Sequence, residues 1–272
     1  MFIYNTIFVY FIFIFGLTYM DYSFLFEVIG FLILGVGVGL GCGSYATMPY
    51  YRLPTGESCA GKWIGKKSHC VHCDAILKTR HLVPVFNWFI TKGKCYNCGY
   101  KVNKVYFFIE SGVTLFSILS YLKFGPENLN LHLMVLGLGT CLVILAAIDY
   151  TYRKLPDAVF IVMVMFSFLY HSPEEFYDMI NIFVITVLIS IAYAKMQEDK
   201  TKEKYKRYDL LKFICVAGLW FSFSELVMFF VIFFLLSLIV KIMHKSDKDP
   251  AYGLAISLSF MVTILSGTDW II

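Results

Sequence analysis

The sequence predicts an all-α polytopic membrane protein with about nine transmembrane helices and one small soluble loop domain. Of its 272 residues, 59% are hydrophobic and only 15% are charged, which is more apolar than a soluble domain of this size requires. Long apolar runs recur along the chain, and most basic residues fall in alternate connections between these runs. Together these observations favour a bundle of membrane helices joined by short loops.

The apolar runs define the candidate spans, which cover residues 5–20, 24–46, 105–122, 131–149, 158–171, 178–195, 209–223, 226–243 and 251–270. The first run has neither a basic n-region nor an obvious small-residue cleavage site. We therefore expect a retained helix there, with a cleaved leader as the alternative. Residues 1–49 would form a two-helix segment, 50–104 a loop domain, and 105–272 a seven-helix domain.

The basic residues predict the orientation of the chain. With nine alternating spans, all of the 23 lysines and arginines except Lys123 fall at or near one face. The positive-inside rule assigns that face to the cytoplasm, with the N-terminus inside and the C-terminus outside. The net charge of +4 follows from this loop bias and gives no reason to expect nucleic acid as a partner. The expected partner is the lipid bilayer.

Small residues dominate the second span, which carries Gly30, Gly35, Gly37, Gly39, Gly41 and Gly43. Their alternate spacing does not follow a single helical face. We interpret them as residues for close helix packing or flexibility, not as a binding site.

The loop domain contains two pairs of cysteines, Cys70 with Cys73 and Cys95 with Cys98. Each Cys-x2-Cys turn presents two thiolates, and two such turns complete a tetrahedral site of the zinc-ribbon type. Since a cytoplasmic loop lies in a reducing compartment, a metal is favoured over disulfides. Four cysteine ligands leave no open position, so the metal, expected to be Zn²⁺, would be structural.

The nearby histidines and the other cysteines of the chain have simpler explanations than metal binding. His69 and His72 could replace a cysteine as metal ligands, although exposure to solvent explains them more simply. The remaining thiols are expected to pack in or beside apolar runs or at the surface: Cys42, Cys59, Cys141 and Cys215.

Carboxylates occur at the predicted cytoplasmic ends of three spans. Asp149 ends an apolar run just before Arg153 and Pro156, and Asp209 stands at the start of a later run. A carboxylate in or near hydrocarbon is costly, so it indicates a function unless it merely ends or caps a helix. Glu110 lies six residues, or about 9 Å of helix, beyond Lys104, and could serve either function or structure.

In order and spacing, these motifs resemble the type IV prepilin leader peptidases. Gly43-Ser-Tyr-Ala-Thr-Met-Pro-Tyr-Tyr-Arg-Leu-Pro54 aligns without gaps on the family's G-S-F-L-N-V-V-I-Y-R-L-P signature. Further matching positions are the two cysteine pairs, Pro84, Asn87-Trp88, Gly93-Lys94, Tyr106, Glu110, Ile148-Asp149, Leu155-Pro156-Asp157, Asp209 and Pro250-Ala-Tyr-Gly253. The resemblance covers residues 41 to 258.

The departures from the family pattern indicate a divergent member. The family's G-x-G-D is Lys206-Arg207-Tyr208-Asp209 here, without either glycine. The lysine that usually follows this aspartate by two positions is Lys212, three positions on. Thr47 replaces an asparagine, while Pro49 and Phe107 are atypical, and the helix at residues 5–20 looks like an addition.

The resemblance implies a membrane aspartic endopeptidase of the bacterial inner membrane with Asp149 and Asp209 as its catalytic pair. Its substrates would be prepilins or pseudopilins of type IV pilus or type II secretion systems, cut at the cytoplasmic face. The family also N-methylates its product with S-adenosylmethionine, although no Gly-rich Rossmann fingerprint is present. Glu110 and Lys212 would be auxiliary residues.

Two close carboxylates would share one proton, so that one activates water while the other polarises the peptide carbonyl. On helix position alone, Asp209 at a helix N-terminus would favour its anion and Asp149 at a helix C-terminus would not. The sequence therefore predicts that Asp149 more often carries the shared proton.

Two other functions remain open. One is a catalytically inactive membrane scaffold in pilus or secretion-system assembly that retains the fold and the metal loop. The other, less favoured, is a transporter that uses Glu110, Asp149 and Asp209 as a cation path. Both aspartates are predicted at the membrane boundary, whereas transporter sites tend to lie near the midplane.

Overall fold

The computed structural model describes residues 27–55, 68–78, 81–125, 127–170, 180, 182–184, 186–188, 204–243 and 252–267, with only the backbone for 55, 170 and 204–210. The described chain is helical from Glu27 onward; this helix is π-helical over Phe31–Val38 and continues directly into α1. The named helices are α1 Gly39–Thr55, α2 Phe86–Ile90, α3 Lys104–Phe124, α4 Leu129–Tyr152, α5 Asp157–Tyr170, α6 Lys204–Trp220, α7 Phe223–Met243 and α8 Tyr252–Ser266.

The all-α membrane architecture predicted from the sequence is confirmed. Among the described residues, four helices are long and apolar enough to cross a membrane: Glu27–Pro54, Lys104–Phe124, Leu129–Tyr152 and Phe223–Met243. Three shorter apolar helices are Asp157–Leu169, Leu211–Trp220 and Tyr252–Ser266. The run 5–20 and most of 178–195 lie outside the described residues, so the total of nine spans stays a prediction.

Asparagine caps set the starts of two central helices. The Asn103 side chain accepts a hydrogen bond from the Val105 amide at 3.0 Å before α3, and Asn128 accepts one from Leu131 at 3.0 Å before α4. These caps satisfy amides that have no partner within the helix. The short connection between α3 and α4 turns the chain, so that the two helices run antiparallel.

Contacts between helix ends define two faces of the bundle. Asp149, near the end of α4, contacts Gly253 at the start of α8. The Lys123 ammonium, near the end of α3, donates at 2.6 Å to each of the Leu265 and Gly267 carbonyls at the end of α8. We call the end with Asp149 the loop face, because α3 starts there from the cysteine loop, and the end with Lys123 the far face.

The α4 helix lies at the centre of the described bundle and carries Asp149 to the loop face. It packs against α1, α3, α5 and α8. Its inward side chains are fully buried at Leu138, Leu142, Leu145 and Ile148. Since α4 is enclosed along most of its length, the carboxylate at its end is held by a rigid support.

Glycines spaced four residues apart in the first described helix form its packing face toward α3. A Cβ on Gly39 would lie 2.6 Å from the Ser117 Cβ, and one on Gly43 would lie 2.9 Å from the Glu110 carbonyl oxygen. Gly35 approaches the Tyr121 ring in the same row, whereas a Cβ on Gly41 would meet nothing within 4 Å. Of the alternating glycines, Gly35, Gly39 and Gly43 therefore permit the backbones of the two helices to approach closely, whereas Gly41 makes no such contact.

We predict that Gly43→Ala destabilises the bundle, because its methyl would meet the backbone of α3. Overpacking of this kind costs about 1–3 kcal/mol. Gly41→Ala is the matched control, since it adds the same methyl and the same helix propensity in open space. Thermal unfolding in detergent should show a lower Tm for Gly43→Ala than for Gly41→Ala. Equal Tm values would contradict the close packing.

Candidate functional site at the loop face

Asp149 lies in the last turn of α4, where the helix is ended by a left-handed residue. Arg153 has φ 55° and ψ 38°, and its amide donates to the Asp149 carbonyl at 3.1 Å. The chain then passes through Pro156 and enters α5 at Asp157. The Asp149 side chain is half-buried at this junction, on a helix end whose direction is fixed by the core of the bundle.

The start of α8 contacts the Asp149 carboxylate directly. The Gly253 amide donates to Asp149 Oδ2 at 2.8 Å. As the second residue of α8, Gly253 has an amide without an acceptor inside its own helix. A Cβ at Gly253 would lie 2.7 Å from the Asp149 Cβ and 2.9 Å from Oδ2, so only glycine allows this approach without displacement.

Asp149 lies at the C-terminal end of its helix, as predicted, but the prediction that Asp209 begins a helix is wrong. Asp149 ends α4, but it also accepts from the positive N-terminal end of α8, which offsets the dipole of its own helix. Asp209 does not begin a helix, because α6 begins at Lys204 and Asp209 is its sixth residue. Helix dipoles therefore do not select Asp149 as the carrier of the proton.

The structure links the helix that carries Asp209 to the loop face. The Lys212 ammonium donates to Asp157 Oδ1 at 2.5 Å and lies over the Phe160 ring, with its nitrogen 5.8 Å from the centroid. Asp157 begins α5 just beyond the Asp149 turn. The side chain of Asp209 itself lies outside the described residues.

A tyrosine cluster beside the Asp149 turn was not predicted from the sequence. The Tyr50 hydroxyl lies 3.1 Å from the Thr151 hydroxyl, and its ring lies 5.4 Å from Tyr106 and 5.8 Å from Tyr152. Tyr50 is only 1% exposed. The cluster joins α1, α3 and the last turn of α4, and thereby fixes the turn from which Asp149 projects. Its only sequence signal was the presence of Tyr50 and Tyr106 in family-like motifs.

Glu110 contacts the soluble loop, and no described contact joins it to Asp149. Its Oε2 accepts from the Val85 amide at 2.7 Å. Val85 precedes α2 with φ 63° and ψ −55°, a positive-φ conformation that is strained for a β-branched residue. The contact ties the start of α2 to the second turn of α3, which favours the structural interpretation of Glu110.

The four predicted metal ligands come together. The Sγ atoms of Cys70, Cys73, Cys95 and Cys98 all lie within 4.8 Å of one another, and Cys70 and Cys98 are 4.0 Å apart. Two sulfurs at 2.3 Å from one tetrahedral zinc are about 3.8 Å apart, so the thiols fit this metal. The cluster could therefore hold a metal ion, as the sequence predicted.

The two cysteine turns repeat the same backbone pattern. Cys70 and Cys95 each accept at their carbonyl from the amide four residues on, at 2.9 and 3.0 Å. Their sulfurs accept from the amides of His72 and Asn97, at 3.5 and 3.4 Å. Amides directed at sulfur stabilise thiolates, so both turns are prepared for a cation.

The surroundings make the thiols of the cluster unequal. The Ala75 amide and the Asn97 side chain lower the pKa of Cys73 to about 7. For Cys98, the Tyr100 amide lowers the pKa, but desolvation and the neighbouring cysteines outweigh it and raise the pKa to about 12. Four thiols this close compete for negative charge, and a bound divalent cation would remove that competition.

The alternative ligands stay outside this cluster. The His72 ring stacks on Tyr100 with centroids 4.4 Å apart, and His69 approaches the Asp74 carboxylate at 3.9 Å. Cys42, Cys141 and Cys215 lie elsewhere in the helices, and Cys59 lies outside the described residues.

Comparison with known proteins extends these observations. Residues 38–124 match the family model of the bacterial peptidase A24 N-terminal domain. A type 4 prepilin-like proteins leader peptide-processing enzyme of Escherichia coli is 31% identical over 91 residues, which cover 34% of this chain and 33% of that protein. No solved structure matches this chain.

Two further relatives are named prepilin leader peptidase/N-methyltransferase. The protein of Burkholderia pseudomallei is 26% identical over 149 residues, covering 47% of this chain and 48% of its own. That of Vibrio cholerae is 26% identical over 144 residues, covering 52% and 56%. The chain thus spans between a third and just over half of the length of these relatives. These matches indicate that the chain is a divergent relative of the prepilin leader peptidases.

We predict that the four-cysteine cluster binds one zinc ion per chain, and that Cys95→Ser removes it because a three-thiol site binds more weakly. Cys42→Ser, which changes a thiol in α1 outside the cluster, is the control and should keep the metal. Elemental analysis of the purified proteins provides the measurement. A metal-free wild-type protein, or equal loss in both variants, would contradict the assignment.

A second prediction tests whether the Glu110 side chain holds the loop in position or transfers protons. Glu110→Gln keeps an oxygen that can accept from the Val85 amide, whereas Glu110→Ala removes it. We expect limited proteolysis to cut the loop faster in Glu110→Ala than in wild type, with Glu110→Gln close to wild type. If the loop of Glu110→Gln is as labile as that of Glu110→Ala, the contact does not hold it.

Proposed function

We propose that this protein is a membrane aspartic endopeptidase that removes the leader peptide of type IV prepilins or pseudopilins. The cut would fall at the cytoplasmic face of the bacterial inner membrane, which we assign to the loop face from its basic connections. The names of the similar proteins support the reaction class. Residues 105–272 would then be the peptidase domain, behind the loop domain 50–104 and the N-terminal helices 1–49.

The observation that carries this proposal is the contact between Asp149 and the start of α8. A carboxylate at the end of a buried helix is held by the Gly253 amide at 2.8 Å and is half-buried at the loop face, which would lie at the membrane boundary. An aspartate that only ends a helix does not need a hydrogen bond from the backbone of another helix. This hydrogen bond fixes the orientation of the Asp149 carboxylate, which acid–base chemistry requires.

Asp209 would supply the second carboxylate of the pair. It precedes Lys212 by three residues on α6, and Lys212 is tied to Asp157 at the loop face. Around one water, the two groups would share a proton, so that one removes a proton from the water and the other polarises the peptide carbonyl. The Lys212–Asp157 pair would hold α6 in position for this step.

The metal and the methyl donor have different roles in the proposal. The Zn²⁺ of the four-cysteine cluster would be structural, because four thiolates leave no position for water or substrate. N-methylation of the new N-terminus with S-adenosylmethionine rests on the names of the relatives alone. No described residue can be assigned to hold that cofactor.

The scaffold alternative is favoured by one observation, the helical conformation of the segment before Asp209. Residues 206–208 continue α6, whereas the family pattern has two glycines there. Glycines permit close backbone approach or positive φ, and a helical Lys-Arg-Tyr does not. A protein that lacks these two glycines could retain the fold and the metal loop without cleaving a peptide.

We predict that wild-type protein in detergent shortens a candidate prepilin by the mass of its leader, and that methylation adds one methyl group. Asp149→Asn and Asp209→Asn should each lower the cleavage rate at least about a hundredfold, the lower range for lost acid–base catalysis. Glu127→Gln, an exposed carboxylate beyond the far end of α3, is the control. Mass spectrometry of the products provides the measurement.

Full cleavage by Asp149→Asn would contradict the assignment of this residue. If wild-type protein cuts no candidate at several pH values while its fold and metal are intact, the scaffold function replaces the peptidase.

A further inference from the structure

A cluster of exposed apolar side chains covers the outer surface of α2 and the turn before it. Phe86 is 58% exposed, Phe89 60% and Ile90 76%, while Leu82 and Val83 add 40% and 44%. We call these five residues the α2 patch. Contiguous apolar surface of this kind on a soluble loop marks a binding surface.

The α2 patch lies beside the first turn of a membrane-spanning helix. The Trp88 and Phe89 rings pack on Phe107 of α3, with centroids 5.0 and 5.3 Å apart. The bond from the Val85 amide to Glu110 holds the start of α2 against the next turn of the same helix. These contacts set the height of α2 at the point where α3 enters the membrane.

The exposed face of α3 continues this surface into the membrane. Phe108, Leu115 and Leu122 recur every seven residues and are 63%, 59% and 62% exposed, as expected for a stripe in contact with lipid. The Phe108 ring lies 5.6 Å from Phe107, the residue on which α2 packs. The patch and the stripe are therefore joined at the loop face.

In the sequence, basic residues flank the patch, and the same segment carries no acidic residue. Between His81 and Lys104 the chain carries four lysines and neither aspartate nor glutamate. Exposed Lys92 lies two residues after the end of α2, and exposed Lys104 begins α3. Anionic phospholipid headgroups have the charge and the location that complement this arrangement.

We propose that α2 lies in the boundary between headgroups and acyl chains of the membrane that α3 crosses. The side chains of Phe86, Phe89 and Ile90 enter the lipid, and Lys92 and Lys104 contact anionic headgroups. This anchor holds the cysteine loop at a fixed height above the loop face. It does not depend on the peptidase activity.

The anchor also gives a physical role to a departure from the family pattern. Phe107 is atypical of the family pattern, and its ring provides the surface on which Trp88 and Phe89 pack.

The proposal is tested by fluorescence of the full-length, metal-loaded protein in vesicles of phosphatidylcholine and phosphatidylglycerol with brominated acyl chains. Ile90→Trp adds an indole at the patch, and Val71→Trp adds one at a 57% exposed site on the first cysteine turn. The emission of the parent, which has four tryptophans, is subtracted. We expect brominated lipid to quench the added emission of Ile90→Trp and to leave that of Val71→Trp.

Equal quenching at the two sites would overturn the assignment of α2 as the lipid anchor. So would an Ile90→Trp emission that is blue-shifted yet unquenched, because the patch would then be covered by protein. In vesicles of phosphatidylcholine alone, we expect weaker quenching at Ile90→Trp. Identical quenching with and without phosphatidylglycerol would overturn the contact with anionic headgroups.

Discussion

Three ionisable side chains of the described bundle are matched to backbone groups at the ends of other elements. Asp149 accepts from the start of α8, Glu110 from the residue before α2, and the Lys123 ammonium donates to carbonyls at the end of α8. In a low-dielectric environment, an unmatched charge or helix end would cost several kcal/mol. This constraint orders the helices, because each match joins two elements that are distant in the sequence.

The same contacts connect the loop domain to the candidate site. Glu110 and Phe107 hold α2 against the start of α3, and Gly43 packs against the backbone of Glu110 from the other side. The adjacent α1 then carries Tyr50 to the last turn of α4 beside Asp149. A metal that folds the cysteine turns would thus support, through α3, the helix end on which the proposed chemistry depends.

Much of this organisation was predictable because it depends on local sequence. Apolar runs located the described helices other than α2, and the spacing of the cysteine pairs predicted the thiol cluster that the structure assembles. The start of α6 was predicted wrongly, since the charged residues from Lys204 look like a loop in sequence but continue the helix. The contact of Asp149 with Gly253 joins residues 104 positions apart, and no local pattern encodes which helix end approaches a carboxylate.

The central claim is that the carboxylates of residues 149 and 209 meet at the loop face. The most direct measurement is cross-linking of the pair Asp149→Cys and Asp209→Cys by a short bifunctional thiol reagent. It is made in a chain that retains the metal-loaded cysteine cluster and has serine at its other cysteines. The account predicts a linked peptide pair, while the control pair Asp149→Cys and Glu127→Cys, at opposite faces, stays unlinked. Failure of the first pair to link, although both thiols react with a monofunctional reagent, would contradict the account.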